Sequence, residues 1–383
     1  MTASTIEPDD EIRYVLALRA QATGLDVRQW GERLMQSTIS APPQWLASIL
    51  LGLWMVIPHA WAQEQGAPQL LVSMPVSTGL ALPIACTAEQ HCFVQNHVDH
   101  QAGPDYRDYR CGPLTYDGHS GTDIRIPNLA AMAASVPVLA AMAGRVKAVR
   151  DGMDDVNLRD IGYERIKGRD AGNTVLLEHA GGWVSQYAHM RKGSVAVRAG
   201  DVVAQGQQLG LVGLSGNTEF PHLHFEIRYN GKPVDPFTGH GLDGACGAAA
   251  APLWDAAAGT ALSYQPSGVI NAGFAAQAPD LTQVMSGGGP AYTLPDADAP
   301  LLVFWVNTFG MRGGDVVDMR VLAPDGSALV EKRAAVPKNK ADWLDYVGRR
   351  AHGAWPAGEY RGIYRVLRDG GEVLRVERSL RIR

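Results

Sequence analysis

Short segments in which apolar and polar residues alternate with a period of two recur along this chain, and that period belongs to strands with one buried face. Ala143–Val149 alternates in this way. Thr174–Glu178 and Trp183–Tyr187 flank Ala180-Gly181-Gly182, which predicts a hairpin. Gln207–Val212 and His222–Tyr229 read as further short strands. Later, Leu301–Val306 is a continuous apolar run typical of a buried strand, and Asp315–Leu322 is a strand stopped by the turn sequence Ala323-Pro324-Asp325-Gly326. Tyr360–Leu367 and Val373–Ile382 form a closing hairpin around Asp369-Gly370-Gly371. Strands with regular turn signals in this last region predict a β-sandwich. Two segments lack a period. The polar, charge-rich stretch 151–172 interrupts the strands and reads as a surface loop on the rim of a cleft. The Ala/Gly-rich stretch 244–258 reads as a linker. The fold class is therefore mainly β.

The first strongly apolar run, Trp45–Pro58, is shorter than the roughly 20 residues of a membrane span. It is followed by Ala60-Trp61-Ala62 and then by polar residues, the order of a secretory signal cleaved after Ala62. A retained membrane anchor is the alternative, and Met35 is an alternative start. The expected organisation is a leader at 1–62, a first domain at 63–248 with its core at 107–240, and an accessory β-sandwich at 249–383. The protein is expected to be exported, with no stable membrane insertion after cleavage. The 383 residues are 46% apolar and 19% charged, enough apolar material for more than one core. A net charge of −5 and the absence of a long basic run exclude an electrostatic nucleic-acid binder. The 43 glycines and 23 prolines favour turns and strands over helices. The cysteines are Cys86, Cys92, Cys111 and Cys246, an even number that favours two disulfides in an exported chain. Three pairings are possible; Cys86–Cys92 with Cys111–Cys246 is preferred. No CxxC pair is present to support a cysteine zinc site.

Chemistry concentrates in three segments: His119-Ser120-Gly121-Thr122-Asp123, Tyr187-Ala188-His189, and His222-Leu223-His224-Phe225-Glu226. Along a strand, His222, His224 and Glu226 share one face, and Leu223, Phe225 and Ile227 the other. Gly121 lets the backbone bend so that His119 and Asp123 converge. Two imidazoles and a carboxylate supply three protein ligands to a zinc ion and leave one position open for water. His189 closes a strand and can face the same cleft. Glu226 has the parity to support a ligand, or to make a plain salt bridge. His91, His97, His100, His179, His240 and His352 read as surface or core residues, His179 as solvent-exposed at the hairpin turn.

These segments, in this order, resemble the lysostaphin-type (LytM-like) zinc metallopeptidases over roughly residues 116–236. The resemblance rests on H-x-G-x-D at His119–Asp123, Y-x-H at Tyr187–His189 and Pro221-His222-Leu223-His224-Phe225-Glu226. Gly213-Leu214-Ser215-Gly216-Asn217 and Pro233-Val234-Asp235-Pro236 support it. It implies an antiparallel β-sheet with a groove and one zinc held by His119, Asp123 and His224. It also implies His189 and His222 as catalytic histidines and the peptide stems of bacterial peptidoglycan as substrate. The chain departs from that pattern in the long stretch 151–172 and in Gly216-Asn217-Thr218-Glu219-Phe220, which bear on cross-link specificity. Two other readings differ in class: a non-catalytic LytM-like activator of a wall amidase, and a zinc D-Ala-D-Ala carboxypeptidase. All five positions are intact, against the first. The gap between His119 and Asp123 is shorter than in the second.

Overall fold

Alternation in one strand organises the first half of the molecule. In the computed structural model, which describes residues 79–85 and 92–383, Leu223, Phe225 and Ile227 are each 0% exposed. They enter a core with Val146, Val175, Leu177 and Tyr187, and the opposite face of the same strand carries the histidines. The strands here are β1 (Phe93–Asn96), β2 (Thr122–Arg125), β3 (Pro137–Leu139), β4 (Gly144–Arg150), β5 (Asn173–Glu178), β6 (Trp183–Met190), β7 (Val202–Val203), β8 (Gln208–Leu211), β9 (His222–Tyr229) and β10 (Lys232–Val234). All but β3 and β8, which pair with each other, lie in one antiparallel sheet of order β1-β2-β9-β6-β5-β4-β7, with β10 paired to β9. The expected hairpin is β5–β6, turned at Gly181 and Gly182, both at positive φ.

The second half contains β11 (Gly268–Ala275), β12 (Leu301–Met311), β13 (Val316–Leu322), β14 (Ala328–Ala335), β15 (Lys340–Arg350), β16 (Gly358–Arg368) and β17 (Gly371–Ile382). A three-stranded sheet, β11-β12-β15, faces a four-stranded sheet, β14-β13-β16-β17. Between them lies a core of Leu302, Phe304, Val306, Met319, Tyr364 and their neighbours. This is the expected sandwich. Strand β12 runs five residues past the expected Val306 because both its faces are covered, a setting in which alternation disappears. Leu302, Phe304 and Val306 point into the sandwich, whereas Trp305 and Phe309 pack on its other side. Trp305, Tyr360 and Tyr364 are 1%, 1% and 0% exposed, so these aromatics belong to the core.

Residues 244–258 do not behave as a free tether. Leu253 and Trp254 are buried in the first core, and Leu80 N–H donates to the Leu253 carbonyl. Composition hides this because two large apolar residues anchor a run of alanines and glycines. The expected Cys111–Cys246 disulfide is formed and joins residues 135 apart. The leader, its cleavage site and Cys86 of the other expected disulfide lie outside the described residues. Stretch 151–172 is not wholly irregular, since it holds a helical turn at Leu158–Ile161 and a 3-10 turn at Tyr163–Arg165. Among the described residues, no helix is long and apolar enough to cross a membrane. The two β regions touch directly: Phe93 of β1 stacks on Phe309 of β12 at 4.5 Å, and Arg125 of β2 pairs with Asp342 of β15 at 2.9 Å.

Candidate metal centre

Strand pairing assembles the site row by row. In the ladder, Asn96 of β1, Asp123 of β2, His224 of β9 and Ala188 of β6 lie side by side. Directly opposed residues point to the same face of a sheet, so Asp123 and His224 meet without any special turn. Asp123 Oδ1 is 2.9 Å from His224 Nδ1. His119 arrives from the loop preceding β2, with its Nε2 3.1 Å from Asp123 Oδ1 and 3.2 Å from His224 Nδ1. That loop is set by Asp99, whose carboxylate accepts from the N–H groups of Gln101, Arg107 and Gly118.

Gly121 serves differently from the expectation. Its φ is not among the positive ones; instead a Cβ there would lie 2.6 Å from the His224 imidazole. The glycine makes room for a ring where a bend was expected.

His189 is placed by a β-bulge. Asn173 pairs with Met190 but Val175 pairs with Tyr187, so three steps of β6 oppose two of β5. Strict alternation would put His189 on the core face with Tyr187, which is 0% exposed and whose hydroxyl oxygen accepts from the Ala141 N–H. His189 instead takes φ 58°, rare for a residue with a side chain. Its ring stands 4.7 Å from that of His222 and 5.9 Å from that of His224. Its Nδ1 donates to the Ser215 carbonyl at 2.8 Å. Gly172 permits this close approach, because a Cβ there would lie 2.1 Å from the same carbonyl oxygen.

The remaining hydrogen bonds fix the tautomers. A carbonyl only accepts, so His119 Nδ1 donates to His97 O (2.7 Å) and His222 Nδ1 to Phe220 O (2.9 Å). The Nε2 atoms of His119, His189 and His222 are thereby left as the free ring nitrogens. Asn96 Nδ2 donates to Asp123 Oδ2 at 3.0 Å. Glu226 makes a salt bridge to Arg228 at 2.6 Å and lies 3.8 Å from His224 Nε2, so both roles considered for it are geometrically present.

Electrostatics follow from burial and crowding. Burial would raise the Asp123 carboxyl, but His119 and His222 outweigh it and hold the group well below the usual carboxylate range. Burial, reinforced by His222 and His224, keeps the His189 imidazole well below its ordinary value. Burial also opposes protonation of His224, yet Asp123 and Glu226 push it up to about 9.

The donor set fits a metal ion. One ligand atom each of His119, Asp123 and His224 lie within 4.8 Å of one another. The 2.9–3.2 Å separations approach the roughly 3.3 Å edge expected when ligands sit about 2.0–2.1 Å from a tetrahedral zinc. His119 has the outer carbonyl contact that orients a ligating imidazole.

A cleft of about 420 Å³ opens onto these residues. Tyr116, Asp123 and His222 line one side; Met311, Asn339 and Lys340 of the sandwich line the other. Stretch 151–172 supplies Leu158 to the rim, where its N–H donates to Thr218 O.

The histidines set aside from the sequence are mostly buried. His100 bridges Asp235 and the Gly244 carbonyl. His97 is 0% exposed among the rings of Tyr109, Phe237 and Tyr264, and burial lowers its pKa to about 4. His179 is half-buried and bonded to Ala143 O and Ser185 Oγ, both at 2.8 Å, where solvent exposure was expected. His91 lies outside the described residues. Sequence reasoning missed Asn96 and the carbonyls of His97, Ser215 and Phe220. Only Asn96 has a side chain that could have signalled, and an isolated asparagine signals little.

Residues 117–236 match the model of Peptidase family M23 and form a domain of that family. Part of the chain is similar to the cell division protein DipM of Caulobacter vibrioides, 49% identical over 71 residues, 17% of this chain and 11% of that protein. It is also similar to the DD-carboxypeptidase/endopeptidase Mpg of Neisseria meningitidis, 34% identical over 130 residues, 33% of this chain and 24% of that protein. The peptidoglycan DD-endopeptidase ShyB of Vibrio cholerae is 32% identical over 117 residues, 30% of this chain and 22% of that protein. The chain thus spans a quarter or less of the length of these relatives.

Proposed function

We propose, taking the Peptidase family M23 domain at residues 117–236 as premise, that this protein is a zinc-dependent metalloendopeptidase that hydrolyses peptide cross-links of bacterial peptidoglycan. The observation that carries the reading is the convergence of His119, Asp123 and His224 within 4.8 Å, with His189 and His222 beside them. The M23 match and the similarity to DD-endopeptidases support the substrate class.

His119 Nε2, Asp123 Oδ1 and His224 Nδ1 would hold one zinc ion. Bound there, zinc would supply a Lewis acid that polarises a carbonyl and lowers the pKa of water toward about 7. The chain supplies the proton chemistry. His189, kept neutral by burial and bonded at Nδ1 to Ser215 O, presents Nε2 as a base toward the cleft. His222, bonded at Nδ1 to Phe220 O, presents Nε2 3.4 Å from Asp123 Oδ1. One of the two takes the proton from the attacking water. The pair then stabilises the developing oxyanion and returns a proton to the leaving amine. No H-E-x-x-H helix is present to supply a glutamate base, so this work falls to the histidines.

We assign 1–62 as a leader, 63–248 as the peptidase domain and 249–383 as an accessory domain, in a protein that works outside the cytoplasm on peptidoglycan. The test is digestion of purified peptidoglycan of meso-diaminopimelate type by residues 63–383, with and without chelator, and mass analysis of the muropeptides. Chelator-sensitive loss of cross-linked dimers is expected. Loss of terminal D-Ala alone would make the protein a carboxypeptidase, and no release would leave the non-catalytic activator.

A further inference from the structure

The cleft has a wall that the M23 segment does not provide. Met311 at the end of β12 and Asn339, Lys340 and Ala341 at the start of β15 line it together with Asp123 and His222. Its charged lining residues are Asp123, Glu219 and Lys340. Asp123 faces the histidines, and Glu219 is paired with Arg159 at 2.6 Å. Lys340 is the cation, and no acidic side chain among the described residues pairs with it. By contrast, Lys147, Lys167, Lys192 and Lys332 all have carboxylate partners. Beside it, Asn339 uses its carboxamide oxygen to accept from Gly313 N–H, leaving its NH2 group as a donor.

We propose that Lys340, assisted by Asn339, is a specificity subsite contributed by the sandwich, which binds a free carboxylate on the peptide whose scissile bond lies at the metal centre. An unpaired ammonium in a cleft recognises an anion, and a carboxylate is the anion that peptides carry. The lysine is anchored, since its backbone pairs with Met311. That strand also carries Asp342, held by Arg125 from β2, so the subsite keeps a fixed position relative to the metal ligands. The proposal rests on the peptidase reading for the nature of the substrate. It makes the sandwich, expected from the sequence as an accessory domain, part of the binding site.

The test is binding of a fluorescent cross-linked muropeptide to the full chain carrying His189→Ala, so that turnover does not consume the probe, measured by anisotropy. Adding Lys340→Glu should weaken binding about tenfold, and Lys340→Gln less. Lys232→Glu, at the exposed first residue of β10, should leave it unchanged. With the probe's carboxylates amidated, the chains with and without Lys340→Glu should bind alike. Equal affinity of those two for the free-carboxylate probe, an equal loss for both probes, or no binding by the chain that retains Lys340 overturns the subsite. Failure of the unsubstituted protein to cleave any cross-link, with Lys340-dependent binding intact, would overturn the peptidase reading and support the subsite.

Discussion

At the scale of single residues, the proposed roles of ligation and proton transfer fall on different side chains. His224→Ala removes a donor from the ligand set and should abolish zinc binding, whereas His189→Ala should keep the metal and lose most activity. Metal analysis of the two purified variants checks this, and equal zinc loss in both would refute the division. Gly121→Ala places a methyl group 2.6 Å from the His224 ring; it should weaken zinc affinity and activity together while the fold persists, as read by competition with a chromogenic chelator. In the metal-free chain His224 holds a proton up to about pH 9. Zinc must displace it, so apparent affinity should rise about tenfold per pH unit from pH 7 and level off near 9. A flat profile would mean that His224 is not the titrating ligand. The five clustered side chains were legible because imidazole and carboxylate at those spacings are rare outside metal sites. The contacts that orient them were not. Three are backbone carbonyls, whose chemistry is the same at every position, and Asn96 lies in a four-residue strand too short for a period.

At the scale of elements, parity explained part of the site and misled in part. Alternation in β9 correctly separated Leu223, Phe225 and Ile227 from the histidine face, because both neighbours of that strand hold regular register. The same rule applied to β6 would point His189 to the core face with Tyr187. What reverses it is a bulge against β5, and nothing in Tyr187-Ala188-His189 announces an extra residue. Strands β14 and β15 were also invisible, since β14 has no fully buried residue and β15 has only Asp345 and Val347, so neither shows a sustained apolar alternation. Loop-to-loop ties were hidden for another reason. His100 donates to Gly244 O through Nδ1 and to Asp235 Oδ2 at 2.7 Å through Nε2, joining segments 135 residues apart in sequence. Burial lowers its pKa, but Asp235 more than compensates and the net shift is upward. A group raised on folding stabilises fully below its unfolded value near 6.5 and loses that contribution as pH climbs through the folded value. His100→Gln should therefore cost most near pH 6, and the gap to the parent should narrow as pH rises. Urea unfolding at several pH values, with chelator present to remove metal linkage, measures it.

For the molecule as a whole, the sequence predicted two β units but not how they engage. The join depends on Arg125, two residues after the proposed ligand Asp123 and 0% exposed. Its guanidinium donates to Gln95 Oε1 at 2.6 Å and to Asp342 Oδ2 at 2.9 Å, and it lies 4.5 Å over the Phe220 ring. Arg125 is opposite His222 in the β2–β9 ladder, so one cation ties the sandwich to the strand that carries two of the site histidines. An arginine in a four-residue strand gives no hint of a partner 217 positions away. Removing one member of a buried pair leaves the other charge without compensation. Asp342→Ala should thus destabilise the protein by about 3 kcal/mol, the low end for such pairs because Asp342 is 23% exposed. Replacing both, Arg125→Met with Asp342→Leu, should recover much of that loss, since the desolvation cost of the ion pair goes with it. Denaturant unfolding of the parent, the two single variants and the double variant forms a closed cycle. Additive losses would mean that the pair does not couple the two units. Strong coupling would make the sandwich a structural component of the catalytic face, and Asp342→Ala should then also raise KM by loosening the β15 wall of the cleft while leaving zinc content unchanged.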